Sequence, residues 1–234
     1  MKRYMICAVT AMLTAFGGAQ AAVISGLVNT GISASGTEDD NYSLTVEQGE
    51  TRLDNAYGYV SRQTIWPSSP WLANSTVSKW ITPEVDTWQS FDANRIGVYK
   101  YQLQFDLSRY DASSAIFTGR YAADNDATVY LNGQQIAGGS NFSRWTGFSA
   151  DDGFLDGLNT LEFVVTNFQQ RDGNPTGLRV EFVSSDATLR PQTLGRFSRA
   201  ALVQELPEPG TYSVFIAGLM MMGWMRRRKS GRAI

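Results

Sequence analysis

The residues that could do chemistry in this chain are bounded first by two that are missing from its working part. There is no histidine among the 234 residues, and the one cysteine, Cys7, lies inside the first apolar run. Serine–histidine–aspartate and cysteine–histidine nucleophiles are therefore excluded, as are imidazole- and thiolate-ligated metals. Gly138-Gly139 is no phosphate loop, because no Lys and Ser/Thr follow it at the required spacing. Carboxylate chemistry survives. Asp124, Asp126, Asp151, Asp152 and Asp156 are the candidates for a glycosidase acid and its nucleophile or base, although acidic residues in Gly/Asn-rich turns also serve solvation and Asx turns. Asp124-Asn125-Asp126 offers the hard oxygen ligands of a structural calcium site, without the spacing of an EF-hand loop. No other cofactor is expected.

A second set of candidates is aromatic. Trp66, Trp71, Trp80, Trp88 and Trp145 lie in the central part of the chain, four of them clustered among Pro, Ser and Asn. An indole face can stack on the apolar face of a sugar while neighbouring polar groups bond its hydroxyls, or it can fill the end of a core. Trp145 with its neighbour Arg144, and Trp71, are the candidate ligand contacts.

The elements that must hold these residues alternate with period two. Tyr42–Val46, Tyr99–Phe105, Ala115–Tyr121, Thr128–Leu131, Thr160–Val165 and Leu178–Val183 all place apolar residues on one face, with Gly, Asn and Asp between the segments. Asn132-Gly133, between Leu131 and Gln134, predicts a two-residue hairpin, since a type I′ turn needs positive φ at both central positions. No sustained 3.6-residue periodicity appears, so the expected class is all-β, an antiparallel β-sandwich over residues 22–184, with residues 185–205 as a linker.

The two ends predict a route rather than a reaction. Lys2 and Arg3, the apolar run Tyr4–Phe16 and Ala19-Gln20-Ala21 have the order of a secretory signal peptide, residues 1–21, handled by the Sec translocon and signal peptidase. The mature part would then hold no cysteine and depend on packing alone for stability. Near the other end, residues 206–230 contain Pro207, Glu208, Pro209 and Gly210, an apolar helix over 211–225 with Trp224 near its end, and the basic group Arg226, Arg227, Arg228 and Lys229. Prolines keep the motif extended and accessible. The apolar run would make roughly 23 Å of helix against a hydrocarbon core of about 30 Å, a short span whose cations stay cytoplasmic. Without the basic residues of both ends and Glu208, 13 basic and 21 acidic residues remain, a net charge near −8. Nucleic acid and anionic lipid are unsuitable partners for such a surface.

In this order, the Pro-Glu-Pro motif, short apolar helix and Arg-rich tail resemble the PEP-CTERM sorting signal of exported proteins in exopolysaccharide-producing Gram-negative bacteria. The resemblance implies recognition by exosortase, a membrane-embedded cysteine transpeptidase, and a destination in the cell envelope or outside it. An ordinary tail anchor with a proline-rich turn is the alternative. More faintly, Gly119–Asn125, Val129–Gly133, Gly157–Phe163 and Asn174–Val180 resemble galactose-binding-like jelly rolls, common among carbohydrate-binding modules. Together these imply an exported, non-enzymatic protein associated with exopolysaccharide; a module with a specific sugar ligand and a carboxylate glycosidase are the alternatives.

Overall fold

A computed structural model describes residues 20–53, 55–62, 71–85 and 90–191. The chain divides into two units, Met1–Pro191 and Gln192–Ile234, and every described residue belongs to the first. Residues 1–19 of the predicted signal peptide, the sorting motif 207–209, the apolar helix 211–225 with Trp224, the basic group 226–229, and Trp66 and Trp88 lie outside the described residues, whereas Gln20 and Ala21, the last two residues of that predicted peptide, are described and Ala21 pairs with Thr188. Among the described residues no helix is long and apolar enough to cross a membrane.

The class is all-β and antiparallel, as the alternation predicts. Among the described residues eleven strands form in chain order: β1 (Ala21–Ala22), β2 (Glu38–Gln48), β3 (Tyr57–Val60), β4 (Ile81–Thr82), β5 (Gly97–Asp106), β6 (Ile116–Asp124), β7 (Asp126–Leu131), β8 (Gln134–Gly138), β9 (Thr146–Ala150), β10 (Leu158–Asn167) and β11 (Gly177–Thr188). The only helical element described is a 3₁₀ turn, Ala112–Ser114, capped by the Asp111 side chain. Strand order is β8-β7-β10-β5-β2-β3-β4-β11-β6-β9, with β1 added to β11. The ribbon doubles over so that β10 faces β6 and β11.

The core lies between these layers. In β5, Tyr99, Tyr101, Leu103 and Phe105 point inward while Lys100, Gln102 and Gln104 point out. Across the layers Phe163 of β10 meets Tyr121 of β6 and Phe148 of β9 at ring separations of 6.0 and 5.6 Å. Each such ring removed from water contributes about 1.5–3 kcal/mol, which is how a domain without disulfides holds together. Gly119 of β6 makes room for this packing: a Cβ there would come within 2.4 Å of the Phe148 ring.

All six predicted strands form, and the Asn132-Gly133 turn has φ of 50° and 83°, joining β7 to β8 as a type I′ geometry demands. Four short strands, β1, β3, β4 and β9, carry too few alternating residues to stand out in sequence. The predicted linker starting at 185 is corrected. Ser185–Thr188 continue β11, paired to β6 and β1, with Ala187 fully buried. Their polar composition hid the strand. The domain closes only when the amide of Leu189 donates to the Gln20 carbonyl at 2.9 Å and that of Arg190 to the Arg109 carbonyl at 2.9 Å.

Candidate functional site: an outer face under cover and an open depression beside it

The outward face of β6 and β11 is not left to solvent. Arg179 and Glu181 are only 2% and 5% exposed, although alternation directs both away from the core. Arg120 stands opposite Glu181 in register, so the carboxylate receives guanidinium groups from both strands. Ser78 donates to Glu181 Oε1 at 2.7 Å. The Arg179 guanidinium donates to Ser78 and Ser75 hydroxyls and to the Ala73 carbonyl, so the segment 71–80 is tied down over the sheet. Burial pushes the Glu181 carboxyl up, but the hydrogen bonds from Ser78 and Arg120 and the two positive charges outweigh it and hold it below the usual carboxylate range.

Trp71 and Trp80, at the two ends of that segment, stack at 4.2 Å and pack on Ala122 of β6. Trp71 is 6% exposed and its indole N–H donates to Asp124 Oδ2 at 2.7 Å, which removes it as a sugar platform and corrects the sequence reading. The Asp124 carboxyl, 4% exposed, is pushed up to about 7 by burial, against the lowering effect of that hydrogen bond. Trp145 is half-buried against the same cluster, with the Arg120 and Arg179 guanidinium carbons over its ring at 4.6 and 4.8 Å. Its ring is thus engaged by cations of the fold rather than presented bare.

The calcium triad does not converge. Asp124 faces Trp71, Asn125 accepts from the Phe168 amide at 2.6 Å, and Asp126 Oδ1 accepts from the Ala127 and Ser140 amides at 2.8 and 2.6 Å. The polar atoms are taken up by the fold and by each other, with Asn125 Nδ2 donating to Asp124 Oδ1 at 2.7 Å, which the linear pattern of ligand types concealed. Among the described residues no three His, Cys, Asp or Glu side chains are grouped to hold an ion. Nor do Asp124 and Asp151 share a cleft. Asp151 follows Ala150, the register partner of Phe117 at the start of β6, whereas Asp124 ends that strand, roughly 23 Å away at about 3.3 Å per residue. Glycosidase carboxyl groups work about 5–9.5 Å apart. Asp151 and Asp152 are exposed, and Asp156 pairs with Arg190.

Of the candidate ligand contacts Arg144 borders an open depression. It lines a depression of about 600 Å³ with Asn125, Asp126, Ser140, Asn141 and Phe168, among others. Three connections build it: β6 to β7 supplies Asn125, β8 to β9 supplies residues 139–142 and Arg144, and the chain leaving β10 supplies Phe168. They are bonded to one another. Ser140 Oγ accepts from the Ala123 amide at 2.9 Å, Tyr121 donates its hydroxyl to the Gly139 carbonyl at 2.9 Å, and Asn174 Nδ2 donates to the Phe168 carbonyl at 2.9 Å. Phe168 is 52% exposed. It was missed because a single aromatic after a strand end carries no pattern; Arg120, Arg179 and Glu181 were missed because their contact is made only by strand register.

No protein-family model matches the chain, and no curated protein matches it. Among solved structures it is similar to a family 29 carbohydrate-binding module, with 8% identity over 72% of this chain and 89% of that one at a TM-score of 0.32. It is similar also to a family 35 module from Paenibacillus barcinonensis, with 13% identity, 63% and 95% coverage and a TM-score of 0.28. A β-glucosidase from Kluyveromyces marxianus gives 10% identity over 71% of this chain and 20% of its own at a TM-score of 0.35. Superpositions this loose assign neither a fold family nor a ligand.

Proposed function

We propose that this is a non-enzymatic exported protein, a galactose-binding-like jelly roll delivered to the cell envelope or extracellular matrix by a PEP-CTERM signal and kept there beside exopolysaccharide. The observation that carries the proposal is the order of the C-terminal stretch: Pro207-Glu208-Pro209, the apolar run 211–225, then Arg226 to Lys229. The motif comes 16 residues after Pro191, where the closed domain ends. An exosortase-type transpeptidase would need both the extended motif and an anchor pinned by cytoplasmic cations. Changing Pro207, Glu208 and Pro209 together to alanine should leave export intact and trap an uncleaved inner-membrane species. Mass spectrometry of the mature C-terminus is the measurement. Recovery of wild-type protein still carrying Trp224 and the basic group, from a host with exosortase, would reduce the stretch to an ordinary anchor.

A second reading, a module with a defined sugar ligand, is favoured by the depression beside Arg144. Its loops are bonded into place without a ligand, and it joins polar groups to one exposed ring, the combination by which preformed sites hold small polar molecules. Both readings describe one protein, displayed by its ends and binding with its loops.

A further inference from the structure

We infer that the depression bounded by Arg144, Asp126 and Phe168 binds a neutral hexose unit with adjacent free hydroxyl groups. The inference deepens the carbohydrate-binding reading and rests on it. Its floor is rigid for reasons already given: Asp126 Oδ1 holds the Ser140 amide, and Asn125 Oδ1 holds the Phe168 amide. Little ordering entropy would remain for a ligand to offset.

Two polar groups on its wall are unspent. Among the described residues the Arg144 guanidinium makes no hydrogen bond or ion pair, and Asp126 Oδ2 accepts nothing. Guanidinium only donates and carboxylate only accepts. A pair of neighbouring hydroxyls is the simple group that satisfies both, accepting from Arg144 while donating to Asp126. Phe168 supplies a half-exposed ring for the C–H face of a pyranose, and the volume of about 600 Å³ lies within the roughly 300–1,000 Å³ of small-ligand sites.

Charge selects the neutral sugar. A uronate carboxylate would meet Arg144 but also face Asp126, on a domain whose net charge is near −8. An amino sugar would meet Asp126 but be opposed by Arg144. Only an uncharged ring leaves neither group confronted by its own sign.

The test uses the full-length chain in a detergent without a sugar head group, titrated calorimetrically with neutral gluco-, manno- and galacto-oligosaccharides and with oligogalacturonate. At least one neutral oligosaccharide should bind. Arg144→Ala and Phe168→Ala should each weaken it tenfold or more with the thermal midpoint unchanged, since neither side chain supports the fold. Asp126→Asn, which retains Oδ1 for the two amides, should weaken it as well. Tighter binding of the uronate would overturn the choice of a neutral ligand. Neutral binding that survives both alanine variants would place the sugar elsewhere and overturn this site while leaving the carbohydrate reading standing. Absence of binding to every glycan would overturn both.

Discussion

A carboxyl group placed where Asp124 sits is worth more to the fold as an acid than as an anion. Burial raises its folded pKa from 3.8 to about 7, and among the described residues no cation pairs with it to offset the loss of water. A raised folded value means that the stabilising contribution is complete below the unfolded pKa and is lost as pH rises toward and through the folded one. The domain should therefore lose stability between about pH 4 and pH 7, by at most about 4 kcal/mol at 1.36 kcal/mol per unit. Asp124→Asn, neutral at every pH, should flatten that slope and leave the variant the more stable form at pH 8. Denaturant melts at pH 4, 6 and 8 would decide it, and a wild-type profile that rises across this window would refute the assignment. Nothing at this scale was legible beforehand: Asp124 stands in the sequence among other turn acids, and its partner Trp71 is 53 residues away.

At the scale of elements, what could be read was what is local. Asn132-Gly133 announces its own backbone conformation, and β5 shows its burial residue by residue in Val98 to Phe105. What could not be read depends on neighbours in space. Arg179 and Glu181 occupy positions that alternation assigns to solvent, and only the segment 71–80 laid across them makes them interior. The tail of β11 is the same case, since Ser185 to Thr188 look like linker until β1 and β6 pair with them. A chain ending at Ser184 loses the bonds from Leu189 to Gln20, from Arg190 to Arg109 and from the Asp111 amide to Thr188, with the buried Ala187. At about 1 kcal/mol per bond the loss should be roughly 3–5 kcal/mol, or on the order of 10 °C in thermal midpoint. A chain ending at Pro191 should melt like the full-length protein, and equal midpoints for the two truncations would restore the linker reading.

For the whole molecule, the pairing of β1 with the end of β11 has a mechanical meaning. In the chain that still carries residues 20 and 21, which cleavage after Ala21 would remove, the backbone enters the domain at Gln20 and leaves it after Arg190, and Gln20 is bonded to Leu189. Because the strands are antiparallel, tension between the two ends loads the Arg190–Arg109 and Leu189–Gln20 bonds first, then the Thr188–Ala21 and Ala187–Ala22 rungs in turn. Such a seam opens as a zipper. It should yield stepwise at low force in an optical trap with handles at residues 20 and 191. Handles at residues 133 and 173, in turns away from β1 and the end of β11, do not pull on the seam, and the first opening should then come at higher force. Equal first-rupture forces in the two geometries would count against the seam. A domain hung by its ends thus has a weak place built in where the strain arrives, and the aromatic core behind it is spared until the seam is gone.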